Sequence, residues 1–285
     1  MGFWEKVQKL DRRYIFLLVA IGVIVPLIAP FGLRPRPTIH VQHIFDDIEK
    51  LGPEDGPVMI CFDYSPATMP ELQPMAKALI RHCFARGVKV IVFGGLFPQG
   101  VGLAQEAIET VAEEYGKVNG VDYVFLGYVP GASTVILRIG EGIKETFEKD
   151  YYGTPLDSLP MMENINTYDD IPLLVDLSGS AVPYWWVAYA GTRYGQRVAV
   201  GTTAVSAAQY YPYLQTGQFS GMLGGLKGAA EYETLLREHN YVKAGVRDEA
   251  TLGMDPQTVI HILIIVLIIL GNIGYYITRA RKQGG

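Results

Sequence analysis

Residues 57–129 alternate two hydrophobic patterns. Three short apolar runs, PVMICFDY, VKVIVFG and VDYVFLGYV, are nearly continuous, as expected of strands buried on both faces of a parallel sheet. Between them, ELQPMAKALIRHCFARG and GLAQEAIETVAEEYG space their apolar residues by three and four. Leu72, Met75, Ala76, Leu79, Ile80, Cys83 and Phe84 form one stripe; Ala104, Ala107, Ile108, Val111, Ala112 and Tyr115 form the other. Each stripe predicts a helix that lays one face on the sheet. A further helix is predicted over 141–150, then two more buried strands, IPLLVDL (171–177) and QRVAVGTT (196–203). The segment 204–241 reads as two helices broken near Pro212 and Gly217. The expected fold is α/β: a doubly wound, mainly parallel five-stranded sheet, Rossmann-like or flavodoxin-like, with a strand order that sequence does not fix.

Two longer apolar stretches flank this core. Residues 14–33, YIFLLVAIGVIVPLIAPFGL, hold no charge over 20 positions, about the length that crosses a bilayer as a helix. Pro26 and Pro30 sit in its outer half, where a helix bends or ends. A cleavable signal peptide is the alternative, but the run is long for one and Pro30 follows Ala29 at the best cleavage point. Residues 258–278, TVIHILIIVLIILGNIGYYIT, are equally uncharged and run straight into Arg279, Arg281 and Lys282. Basic flanks mark the cytoplasmic side, so both termini are expected in the cytoplasm and the intervening domain outside. Arg34 and Arg36 oppose this assignment. Gly271, Asn272 and Gly274 mark either a helix–helix contact or the nearby interface. The resulting organisation is a cytoplasmic lead (1–13), a transmembrane signal-anchor helix (14–33), a connector (34–56), an extracytoplasmic α/β domain (57–240), a linker (241–257), a second transmembrane helix (258–278) and a basic tail (279–285). Within the connector a helix is expected after Pro37.

Charge sharpens this picture. Residues 37–255 hold 15 Lys and Arg against 27 Asp and Glu, whereas both ends are basic. An acidic domain lacks the basic footprint that nucleic acid requires. The lipid bilayer is the expected partner, together with other integral membrane subunits or further copies of the chain.

In open parallel sheets, ligands sit beyond the carboxyl ends of the strands. Here the ends of the first and fourth strands supply Asp63 with Ser65, and Asp176 with Ser178 and Ser180. If those strands are neighbours, the two carboxylates converge on one crevice, and these five residues are the candidate ligand-binding set. The DLSGS run resembles the D-x-S-x-S metal-adhesion motif of von Willebrand A domains. That resemblance covers residues 176–180 alone and would imply a hard divalent ion; the family carries its motif on the first strand rather than the fourth. The competing reading is that Asp63 and Asp176 cap helices or close turns, and T-M-P-E at 68–71 has the form of a capping box. Gly94, Gly95, Gly100 and Gly102 match no nucleotide-binding fingerprint, and there is no G-x-S-x-G elbow. His40 and His43 lack a third ligand nearby, and Cys61 and Cys83 read as core residues. No metal, cofactor or catalytic residue is assigned.

Two features suggest contact surface. Trp185 and Trp186 lie in an aromatic run with Tyr184, Tyr189 and Tyr194, residue types favoured at interfaces. Gly221, Gly224, Gly225 and Gly228 form a small-residue ridge if the segment is helical, suited to close approach by a neighbour. The leading expectation is a non-enzymatic, double-anchored subunit of a membrane assembly whose outward domain docks a partner or another copy. The alternative is a membrane-tethered enzyme or small-ligand sensor that uses the Asp63/Asp176 crevice.

Overall fold

The computed structural model describes residues 11–283, so most of the expected cytoplasmic lead and the last two residues of the tail lie outside the described residues. The chain divides into two units: residues up to Leu33 with those from Thr251 onward, and Arg34–Ala250.

The larger unit is a six-stranded, wholly parallel sheet: β1 (Val58–Asp63), β2 (Val90–Phe93), β3 (Tyr123–Phe125), β4 (Leu173–Ser178), β5 (Val198–Thr202) and β6 (Met222–Gly224), in the order β3-β2-β1-β4-β5-β6. That is the doubly wound order in which the winding reverses between β1 and β4. The strands are buried along nearly their whole length because helices cover both faces. Helices α1 (Arg12–Ile28), α2 (Ile39–Glu49), α3 (Met69–Arg86), α4 (Val101–Tyr115), α5 (Ser133–Glu141), α6 (Gly225–Glu238) and α7 (Glu249–Gln283) are the long ones. Helices α3, α4 and α6 pack side by side. On the opposite face Val135, Ile136 and Ile139 of α5 join Met59, Ile91, Phe93, Val124, Leu174, Val200 and Trp186 in one core.

Three expectations change. A sixth strand, Met222–Gly224, stands where a helix was expected: three residues are too few to display any alternation. The helix expected over 141–150 lies earlier, as α5, followed by a single turn at Ile143–Thr146. The glycine ridge does not exist as one helix face. Gly221 precedes β6 and Gly224 ends it. Gly225 begins α6 at φ +63°, where an added Cβ would lie 2.7 Å from the Ala204 Cβ. Gly228 faces the backbone of Leu223, and Gly221 faces Ile44 and the His40 carbonyl. Each close approach is to this chain's own α/β unit.

In the smaller unit, α7 is a helix long and apolar enough to cross a membrane. It starts at Glu249, nine residues before the expected span. Helix α1 is 17 residues and contains Pro26. A Cβ on Gly22 would lie 3.1 Å from Ile260 Cδ1. The buried Asp255 carboxylate accepts the Gly32 and Leu33 N–H groups at 2.8 and 3.4 Å. Asn272 donates to the Ile268 carbonyl of its own helix at 2.9 Å, which satisfies it locally.

Candidate functional site

The sheet register places Asp176 beside Cys61 on one side and Val200 on the other, and Ser178 between Asp63 and Thr202. Side chains two apart on a strand share a face. Asp63, Asp176, Ser178 and Thr202 therefore form a polar island on the α5 face, at the carboxyl edge of three central strands. Asp63 is 5% exposed and the other three 0%.

The glycine-rich loop after β2 positions one partner of Asp63. Gly95 has φ +92°, and a Cβ there or at Gly100 would lie 2.2 or 1.9 Å from the Phe62 carbonyl oxygen. Only glycine lets this loop press onto the end of β1. The Leu96 N–H then donates to Asp63 Oδ1 at 2.5 Å. Trp186, fully buried at the start of a π-helical turn (Trp186–Gly191), donates its indole N–H to Asp63 Oδ2 at 3.1 Å. Its ring meets Phe93 edge-on at 6.4 Å.

Asp176 has no such donors. Both of its carboxylate oxygens are buried without a hydrogen-bond partner, and so is the Thr202 hydroxyl. A buried charge without partners is costly enough that the group takes up a proton instead. Burial raises the Asp176 carboxyl well above its ordinary range, and neighbouring Asp63 raises it further. Burial also raises Asp63, opposed by the hydrogen bonds from Leu96 and Trp186. The two carboxyls are thus unequal: the donors to Asp63 oppose the rise that burial causes, and none does so at Asp176.

A cleft of about 280 Å³ opens beside Asp63, walled by Ser65, Thr68, Phe97, Gln99, Gly179 and Ser180, with Tyr64 at its base. Phe97 is 41% exposed, and its ring lies 6.3 Å from that of the half-buried Trp185. The Tyr64 hydroxyl is turned away to Gln73 Oε1, and Tyr128 is not part of the wall. The crevice is therefore not filled by the chain's own aromatic side chains. None of the lining residues is Lys, Arg or His.

Of the five candidate ligand residues, Asp63, Ser65 and Ser180 border the cleft while Asp176 and Ser178 lie beneath it. Ser178 Oγ is 3.0 Å from Ser180 Oγ and accepts the Ser180 N–H at 3.1 Å; the Tyr210 hydroxyl donates to the Ser180 carbonyl at 2.7 Å. The alternative of helix caps or closed turns does not describe either residue: Asp63 ties the loop after β2 to the helical turn of Trp186, and the Asp176 carboxyl has no hydrogen-bond partner. The 68–71 capping box does not form: Thr68 donates to the Ser65 carbonyl, and Glu71 accepts the Ala204 N–H at 2.8 Å. Trp186 belongs to this site and not to the surface. Its role was invisible because the sequence places it 123 residues from Asp63.

A larger hollow, about 640 Å³, lies at the opposite end of β5, around Gln196, Arg197 and Phe219. Its one strong charge, Arg197, is already held by Asp47 through two 2.8 Å hydrogen bonds. The carboxyl-edge cleft is the better candidate. Comparison with protein-family models, with curated proteins and with solved structures returned no match to this chain.

Proposed function

We propose that this protein is a membrane-anchored ligand-binding protein whose α/β domain takes a small molecule into the cleft between the ends of β1 and β4. The observation that carries this reading is an unfilled crevice at the reversal point of the sheet, floored by a buried acid pair. Open α/β sheets place their ligands there, and converging polar groups, here on Asp63, Ser65, Thr68, Gln99 and Ser180, are what fix a ligand in such sites. Partner docking was the leading expectation from sequence, and its glycine ridge is now accounted for within the domain; we therefore place ligand binding first. In the same proposal, α1 and α7 both cross the bilayer, with the termini in the cytoplasm and the α/β domain outside. The test is a thermal-shift screen of small molecules on the full-length protein in detergent, run beside Gln99→Trp. Gln99 is an exposed wall residue, so its indole fills the cleft without disturbing the core. Compounds that raise the melting temperature of the wild type and not of Q99W support the reading. A screen in which no compound distinguishes the two overturns it.

A further inference from the structure

The character of the cleft restricts what it can hold. Its lining offers one carboxylate, hydroxyls, one amide and the Phe97 ring, and no basic side chain. Beneath Asp63 stands a second carboxyl whose two oxygens receive no donor. A phosphate or carboxylate ligand would bring negative charge against this pair with nothing to offset it. The helix terminus at Thr68, on the cleft wall, does not rescue an anion either. Helix α3 has Pro70, without an N–H, at its second position, and Glu71 in its first turn. A cation meets the opposite situation: a carboxylate floor, hydroxyl acceptors at the rim and an aromatic wall whose ring face attracts positive charge. The surrounding domain is acidic as well, which concentrates cations at its clefts.

Resting on the ligand-binding reading, we propose that the ligand is a small organic cation, an amine or guanidine, whose N–H donors bond Asp63, with Asp176 behind it, and whose charged end lies against the Phe97 ring. A protonated amine brings positive charge and further donors to Asp63, the carboxylate that lines the cleft, and an alkyl chain of four or five carbons fits a space of about 280 Å³. Hydroxyls of Ser65, Thr68 and Ser180 accept the remaining N–H groups.

The experiment uses the full-length protein in detergent at fixed ionic strength. Calorimetry and thermal shift are run with n-butylamine and 1,4-diaminobutane, against n-butanol, butyrate, MgCl2 and CaCl2. The expected result is saturable binding of the amines, with no response to butanol or butyrate. Asp63→Asn should abolish it. Because that variant alters a buried group, Phe97→Leu provides a second readout at an exposed wall position, expected to weaken amine affinity about two- to five-fold with unchanged melting of the free protein. Binding of butyrate or butanol in preference to the amines overturns the inference and leaves the ligand-binding reading in place. A response to Mg²⁺ or Ca²⁺ with none to amines assigns the acid pair to a metal and overturns it too. If the screen with Q99W also finds nothing, the ligand-binding reading fails with it.

Discussion

His82 gives the α/β domain a built-in sensitivity to acid. The side chain is fully buried between α2, α3 and α6, stacked on Phe45 with ring centroids 4.3 Å apart. Its Nε2 lies 2.8 Å from Glu49 Oε1 and its Nδ1 2.7 Å from the Tyr232 hydroxyl. A neutral imidazole fits these partners: Nε2–H donates to the carboxylate, and Nδ1 accepts the hydroxyl proton. Burial lowers the His82 pKa from 6.5 to about 4, with the Glu49 hydrogen bond only partly offsetting it. The unfolded chain therefore binds a proton near pH 6.5 that the folded chain refuses until about pH 4. Its contribution to stability is present above 6.5 and lost as pH falls through that window. Linkage gives a loss of about 2 kcal/mol between pH 7 and pH 5, or about 4–8 °C in melting temperature for a unit of this size. Glu49 acts in the same sense: its carboxyl is partly buried, which raises it, but hydrogen bonds with His82 and Tyr241 hold it below its usual range. The Asp63/Asp176 pair acts oppositely, because raised carboxyl pKa values favour the folded state as pH falls. His82→Gln separates the effects, since an amide supplies one donor and one acceptor and does not titrate. Melting curves of wild type and H82Q, followed by tryptophan fluorescence between pH 7 and pH 5, should diverge by the stated amount. Parallel curves would refute a neutral, buried His82.

Three further outcomes are expected. Trp186→Phe removes one of the two N–H donors to Asp63 and should destabilise the protein by about 1–3 kcal/mol at pH 7; the loss should shrink as pH falls and the carboxyl takes up protons, and a pH-independent loss would point to packing instead. Gly225→Leu places a side chain at φ +63° against Ala204. It should lower the melting temperature by an amount corresponding to about 1–3 kcal/mol and leave migration on native gels unchanged; an unchanged melt with altered migration would favour the docking role instead. On intact cells, an impermeant thiol reagent should label Glu113→Cys and not Lys282→Cys, with little background because Cys61 and Cys83 are buried. The reverse pattern would invert the proposed topology.

The α/β core was legible because its signals are local. Continuous apolar runs announced β1, β2, β4 and β5, and the 3/4 spacing of Leu72 through Phe84 announced α3. Features that depend on long-range placement were not legible. The segment 221–228 has four glycines, three of which, Gly221, Gly225 and Gly228, closely approach Ile44, Ala204 and Leu223. Sequence records that small residues are needed there, but not which neighbour requires them. T-M-P-E at 68–71 has every residue of a capping box, yet the Glu71 carboxylate is taken by the Ala204 N–H, 133 residues away just beyond the end of β5.

The same limit governs the site. Asp176 in IPLLVDL is a single carboxyl in an otherwise apolar strand, and by itself that pattern says only that the residue sits at a strand end. Its meaning follows from the order β1-β4-β5, which sets Asp63 on one flank and Thr202 on the other side of Ser178. With that order, Asp63 receives two N–H groups and Asp176 none, although both are buried. Two like groups with such unequal partners cannot share charge evenly: the donors favour the ionised form at Asp63 and the proton remains with Asp176. A reversal of β4 and β5 in the sheet would separate the carboxyls by a strand and leave each to cap its own loop. The sheet order, more than either aspartate, is what turns two strand-end residues into one charged floor beneath a cleft.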